Sequence, residues 1–315
     1  MEEPHAITPT FTVLMPVYNG AAFLRAAIDS VIGQSRADWE LIVVDDGSTD
    51  ESAAVAAEAA GRDARVRLLR KPNTGISDTL NLGLAAARGE WIARLDCDDE
   101  MEPRRLARQL EFLAARPDLG GAASYYTVIN RDGHARQQIR PLPLSVDEIE
   151  PLFARGGTLR YTHPTVTYRR EVAHALGGYR RELEPCEDVD LFVRFFEAGR
   201  PVVVQPEFLT RYRAHPGQIT ASKLHDGFNK VLFIHDNFFR RRAGRPERSY
   251  AEFLTSLRTA PLAERVRHFA DYGAEILHRR STALLMADRT FAGYLCLAGA
   301  GALRPVRAAR RLLRR

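Results

Sequence analysis

An α/β fold built around a parallel sheet follows from three features of the sequence. Short apolar runs alternate with segments of helical spacing through the first hundred residues. The runs are apolar throughout, as in strands covered on both faces, rather than at every second position. The links between them are short, which is the pattern of β–α–β units. At 315 residues, 45% hydrophobic and 27% charged, the chain has room for a full α/β core and an appendage.

Taken in order, Phe11-Thr12-Val13-Leu14-Met15 is the first strand, stopped by Pro16 and Asn19-Gly20. Phe23, Leu24, Ala27, Ile28, Val31 and Ile32 then fall at helical spacing. Glu40 to Asp45 is the second strand and ends in Asp45-Asp46-Gly47-Ser48-Thr49-Asp50, where Gly47 permits a tight turn and Ser48 or Asp50 caps the next helix. Val66 to Leu69 is the third strand, Lys71 to Gly75 a loop, and Ile76 to Ala87 a helix ending before Gly89. The fourth strand is Trp91-Ile92-Ala93-Arg94-Leu95. It runs directly into Asp96, Asp98 and Asp99, followed by a helix from Pro103 to Arg116. Gly120 to Asn130 reads as a strand, and Asp132-Gly133 as a hairpin turn. The order then becomes irregular through Pro141, Pro143 and Gly156-Gly157, a mixed region suited to shaping the face of a pocket that meets a second substrate. A domain boundary is expected at residue 225, with residues 226–315 helical and basic.

The charge is divided unevenly. Residues 226–315 hold 18 Lys/Arg and 8 Asp/Glu, a balance of +10 in a chain of net +5, which leaves −5 on residues 1–225. The terminal stretch Arg304 to Arg315 interleaves arginine with small and aliphatic residues. It suits either a helix lying on an anionic membrane face or a solvated tail. It lacks the aromatic interleaving of a nucleic-acid binder, so no nucleic-acid partner is expected. Cys97, Cys186 and Cys296 fit no disulfide or zinc spacing, acidic residues open the chain, and no apolar run reaches the length of a membrane span. A cytoplasmic protein is expected, with possible peripheral contact at the inner face of the membrane; oligomeric state is left open.

Four constellations carry chemistry. Asp45 and Asp46 end a strand where a carboxylate can accept from a ribose hydroxyl or a base N–H; one of the two is expected to cap or turn, leaving the other free. Asp96, Asp98 and Asp99 repel one another unless a hard cation lies among them, and such ions take oxygen ligands. The alternative is a solvated acidic turn. Cys186-Glu187-Asp188-Val189-Asp190-Leu191 leads into an apolar helix expected over Phe192 to Glu197; acids at a helix start favour the macrodipole, or one of them faces a cleft and takes a proton from a hydroxyl. His215, in Tyr212-Arg213-Ala214-His215, is either structural or a third metal ligand or phosphate donor; His163 carries the same two readings.

Four segments together resemble the family-2 glycosyltransferases of GT-A fold: Val13 to Asn19, Ile42 to Asp50, Ala93 to Asp99, and Glu187 to Leu191. The similarity spans residues 10 to 220, and Asn73 to Ser77 with Leu82 to Ile92 looks like the subset that makes bacterial exopolysaccharide or cell-surface glycans. The resemblance implies a Rossmann-like mixed sheet flanked by helices. It implies a nucleoside-diphosphate sugar as donor (UDP-linked, or dTDP- or GDP-linked), Mn2+ or Mg2+ as cofactor, and a glycan or lipid-linked saccharide as acceptor. Pro16, Val17, Tyr18, Asp46 and Asn73 would hold the nucleotide, with Asp46 accepting from a base N–H. Asp96, Asp98 and Asp99 would contact ribose, diphosphate and metal, with His215 as a further ligand. Asp188 would be the general base of an inverting displacement. Cys97 stands where relatives carry alanine or serine, and Leu80 where many carry an arginine, which leaves Arg94, His215 or the metal to neutralise phosphate. A sugar nucleotidyltransferase is the competing enzyme reading, but Pro16-Val17-Tyr18-Asn19-Gly20 is not its glycine-rich basic loop. A non-catalytic nucleotide-sugar-binding module is the third reading, and the intact Asp188 argues against it.

Overall fold

The computed structural model describes residues 8–159, 161–215 and 224–263, with isolated positions beyond them as far as residue 296. Four strands and three helices alternate first: β1 (Phe11–Val17), α1 (Ala21–Ile32), β2 (Trp39–Asp45), α2 (Ser52–Arg62), β3 (Val66–Arg70), α3 (Ile76–Ala86) and β4 (Trp91–Arg94). β1 lies parallel to β2 and β4, in register Phe11 with Trp39 and with Trp91, and β2 lies parallel to β3. Every residue of β1, β2 and β4 is buried, as continuous apolar runs require when helices cover both faces. Leu24, Ala27, Ile28 and Val31 form the buried stripe of α1. On the opposite face α3 approaches so closely that a Cβ at Gly83 would lie 2.1 Å from Leu14 Cδ1. That contact is the reason a glycine sits mid-helix.

The second half turns the sheet mixed. It adds β5 (Glu100–Met101), α4 (Arg105–Ala114), β6 (Gly121–Ile129), β7 (Ala135–Ile139), α5 (Ile149–Ala154), β8 (Thr167–Arg169), α6 (Arg170–Ala175), α7 (Glu187–Glu197) and β9 (Val202–Arg213). The order is β3-β2-β1-β4-β8-β6-β9-β5, with β7 paired to β6 as the expected hairpin. β8 runs antiparallel to β4 and β6, while β6 and β9 are parallel. The sheet is GT-A-like in being parallel on one side and mixed on the other.

Pro16 does not stop β1, as its lack of an N–H suggested. Pairing with β4 ends at Leu14, so the strand continues with only β2 beside it and a missing donor is tolerated there. The helix expected at Phe192 begins instead at Glu187. β5 and β8 are too short for a period of two to register in sequence.

The chain divides into two compact units, Met1–His215 and Pro216–Arg315. In the second, the helices Leu224–Arg242 and Tyr250–Thr259 are joined by a capping box at Ser249 and Glu252 and by Asn237, whose side chain accepts from Arg248 N and donates to Arg248 O. Phe233 packs on Phe253 with ring centroids 5.6 Å apart. The apolar stretch 291–303 and the arginine-rich stretch 304–315 lie outside the described residues, apart from Cys296. Among the described residues no helix is long and apolar enough to cross a membrane.

Candidate active site

The carboxyl ends of β1, β2 and β4 form one edge, and the expected site residues of the first half gather there. Two loops at this edge are tied together. Asp46 N donates to Val17 O (2.8 Å), Asn19 N to Ser48 Oγ (2.9 Å), and Thr49 N to Asn19 Oδ1 (2.8 Å). Asn19 takes a left-handed φ of 53°, which its side chain tolerates through these local bonds. Pro16 and Val17 are buried beneath, and Tyr18 stands 53% exposed at the tip. An exposed ring on a fixed loop is a ready stacking surface.

Neither Asp45 nor Asp46 is left free, contrary to the expectation that one would be. Asp45 is fully buried and accepts from Ser48 N (3.0 Å) and Arg70 Nε (3.3 Å). Asp46 accepts from Lys71 Nζ, Thr74 N (3.0 Å) and Gly75 N (3.1 Å). A carboxylate spread over four acceptor positions satisfies these donors and shapes the 71–75 loop at once. Asn73, exposed on that loop, has its amide pressed against Gly47: at φ +74°, a Cβ on Gly47 would come within 2.8 Å of Asn73 N. Lys71 is the residue here that sequence reasoning missed, because its pairing crosses from one loop to the next.

The acidic cluster lies at the end of β4. Asp96, Asp98 and Asp99 each offer a carboxylate oxygen within 4.8 Å of the others. Asp96 accepts from Arg94 Nη2 (2.5 Å), Asp98 Oδ2 is 2.9 Å from His215 Nε2, and Asp99 Oδ1 accepts from Arg213 N (2.7 Å). Asp99 is 0% exposed and its Oδ2 has no hydrogen-bond partner. Burial, then the charges of Asp98 and Asp96, push the Asp99 carboxyl well above the usual range; burial and Asp96 raise Asp98 as well. A partnerless buried oxygen among converging carboxylates is the arrangement a hard divalent cation relieves, so these residues fit Mg2+ or Mn2+. His215 belongs to the same place, with its ring 5.0 Å from that of Phe23.

The third expected piece comes from the far half. Asp188 opens α7, partly exposed, with its Oδ1 accepting from Val189 N (2.7 Å). Burial raises it to about 6, against the pull of that N–H and of Arg94, and the negative charge of Asp96 adds to the rise. Asp188 therefore lies within electrostatic reach of the β4 cluster although 92 positions separate it from Asp96 in sequence. Glu187, 6% exposed, is pushed to about 8 by burial and by Asp188, and its Oε2 lacks a partner. Arg94 is the hub. It is 2% exposed, and Asp96 keeps it protonated despite burial. His163 does not join the carboxylates. Its Nε2 meets Tyr179 Oη at 3.0 Å, Tyr179 Oη meets Tyr168 Oη at 2.9 Å, and burial with Arg94 holds the imidazole neutral.

Three contacts bind the segment before Asp188 to α3 of the first half. Asn81 on α3 accepts from Tyr179 N and donates to Tyr179 O, both at 2.8 Å. Glu184 Oε1 accepts from Ser77 N (2.8 Å) at the start of α3, and Arg181 pairs with Asp78 at 3.2 Å. No spacing rule connects these partners, so sequence reasoning missed them.

Comparisons with known proteins bear on the family and the fold. The family model for glycosyl transferase family 2 matches residues 12–177, more than half of the chain. EpsE of Bacillus subtilis (strain 168) is 36% identical over 195 residues, covering 61% of this chain and 68% of EpsE. The amylovoran biosynthesis glycosyltransferase AmsE of Erwinia amylovora is 32% identical over 209 residues, 65% of this chain and 76% of AmsE. Among solved structures, S. aureus TarS 1-349 in complex with UDP-GlcNAc superposes with a TM-score of 0.62 at 16% identity, covering 94% of this chain and 90% of TarS. Mannosyltransferase PcManGT from Pyrobaculum calidifontis, in complex with GDP-Man and Mn2+, gives 0.56 at 17% identity, with 96% and 90% covered. A GT-A sheet, a carboxylate edge and this family match together make the chain a glycosyltransferase, a member of glycosyl transferase family 2.

Proposed function

We propose that the chain transfers a sugar from a nucleoside-diphosphate sugar to a hydroxyl of a glycan or lipid-linked saccharide, with inversion, and that Asp188 is the general base. The observation that carries this reading is Asp188 itself: a partly exposed carboxyl at the start of α7, raised to about 6 and within electrostatic reach of Arg94 and Asp96. A base poised near neutrality is ionised at working pH yet basic enough to draw a proton from an alcohol. The UDP-GlcNAc and GDP-Man held by the two solved relatives support a nucleotide-sugar donor, and the Mn2+ in one supports a divalent cation.

Tyr18 stacks on the base, while Asp46, held by Lys71, keeps the 71–75 loop against it. Asp98, Asp96 and His215 would hold the cation, with Asp99 closing the set. The cation, when bound, supplies positive charge against a departing diphosphate. Arg94 orients Asp96 and supplies fixed positive charge beneath it. Asp188 accepts the acceptor's proton at the carboxylate oxygen not engaged by Val189 N, and the alkoxide it unmasks attacks the anomeric carbon from the face opposite the diphosphate. Names among the relatives, amylovoran biosynthesis in particular, favour exopolysaccharide or cell-envelope glycan assembly.

The test is a donor panel (UDP-, dTDP- and GDP-sugars) incubated with Mn2+ or Mg2+ and acceptor saccharides, with product anomers read by NMR. An α-linked donor is expected to give a β-linked product. A product retaining the donor's configuration would overturn the role of Asp188.

A further inference from the structure

Arg213 ends β9, remote in sequence from the β4 turn, yet it holds that turn from behind. Its backbone N–H donates to Asp99 Oδ1 at 2.7 Å and its Nε to the Asp98 carbonyl at 2.9 Å. Nη1 donates to Asn130 O (3.1 Å) and Arg131 O (2.8 Å) on the hairpin, and Nη2 to Glu100. The guanidinium is 5.0 Å from the centroid of Phe23, the ring that also packs on His215. At 3% exposure it cannot swing away into water. Two positions on, His215 meets Asp98 Oδ2.

We propose that Arg213 is the positioning residue of the cation site. Its fork sets the main-chain angle at which Asp98 and Asp99 present their carboxylates, and the same strand end delivers His215 to Asp98. This rests on the reading of Asp96, Asp98 and Asp99 as the cation's ligands. The physical reason is the mismatch between the site's demand and the turn's own rigidity. Three carboxylates crowded on four positions repel, and burial magnifies the repulsion. Without a brace they would turn apart, so ordering them on cation binding would cost affinity. A planar group with fixed donor directions can lock the Asp98 carbonyl, two hairpin carbonyls and Glu100 at once. A lysine ammonium, a single point with three donors, cannot span them. Groups that orient metal ligands in this way are worth about 10–100-fold in metal affinity.

The experiment is Mn2+ titration of the full chain in the presence of UDP, with free Mn2+ read by electron paramagnetic resonance. The wild type is compared with Arg213→Lys and Arg211→Lys. Arg211 is the control: it shares Glu100 (3.1 Å) and the hairpin, through Gly133 O (2.7 Å), but not the Asp98 carbonyl or Asp99. Arg213→Lys is expected to weaken Mn2+ binding about 10–100-fold and to raise the Mn2+ concentration for half-maximal turnover in parallel, with kcat largely recovered at saturating Mn2+. Arg211→Lys is expected to stay within about threefold of wild type. Unchanged Mn2+ affinity in Arg213→Lys, or an equal loss in both variants, overturns the proposal. If Arg213→Lys does not fold, Glu100→Gln, which removes the carboxylate that Arg213 and Arg211 share, is read against Arg211→Lys: a severalfold loss beyond that of Arg211→Lys supports the role, and an affinity equal to that of Arg211→Lys ends it. Failure of the wild type to bind Mn2+ at all is a separate result, since it removes the cation reading itself.

Discussion

Replacing Asp188 by asparagine separates its chemistry from its energetics. The amide keeps an oxygen to accept from Val189 N (2.7 Å in the native chain) but loses both the charge and the ability to take a proton. Turnover is expected to fall by about 10²–10⁴, the usual contribution of a positioned base, with nucleotide affinity unchanged. Stability should move the other way. The carboxyl is raised from 3.8 to about 6, with burial the largest cause. At about 1.36 kcal/mol per unit that corresponds to no more than about 3 kcal/mol, and partial exposure brings it to about 1–2 kcal/mol. A raised folded-state value means the native protein holds this proton more tightly than the unfolded chain. The associated stability is therefore complete below about pH 4 and is lost as pH rises through about 6. Urea denaturation of wild type and Asp188→Asn between pH 4 and pH 8 should show curves that diverge through this window, the variant being the more stable above it. Wild-type kcat should climb through the same interval as the base ionises. Parallel stability curves, or turnover within threefold of wild type, would remove Asp188 from the cleft.

Other expectations test the remaining pieces. Asp98→Asn should abolish the Mn2+ dependence of UDP binding, measured by calorimetry with and without chelator, while leaving the urea midpoint near that of wild type. Lys71→Met leaves Asp46 buried against two amides with no counter-charge. A loss of about 3 kcal/mol in urea unfolding is expected, and a shift under 1 kcal/mol would show the pair to be incidental. Gly178→Ala places a Cβ 2.4 Å from Asn81 Oδ1 at a φ of +69°. It should cost about 1–3 kcal/mol and speed hydrogen exchange at the Tyr179 amide, which Asn81 otherwise protects.

Much of this protein is local and so was legible in its residues. Continuous apolar runs gave away β1, β2 and β4 because a strand covered on both faces has no solvent side to mark. The stripe on α1 and the Asp132-Gly133 hairpin were legible for the same reason, since periodicity and turn chemistry act over a few positions. The acids at the ends of β2 and β4 announced the site edge because strand ends in such sheets open onto ligands.

What the residues alone left undecided depends on partners brought together by the sheet. Asp46 looked available for a base, yet Lys71, Thr74 and Gly75 occupy it, because the 71–75 loop folds back over β2. His163 and His215 looked alike in sequence; packing sends one into a tyrosine network and the other to Asp98. Arg213 and Asn81 carried no signal, since a hydrogen bond across 98 or 115 positions leaves no spacing to read. Sequence by itself determined which segments become strands and where their acidic ends lie, because those choices rest on local pattern and burial. Only the tertiary structure decided which carboxylates are satisfied and which remain to act, because a polar group's state is set by the neighbours the fold places beside it.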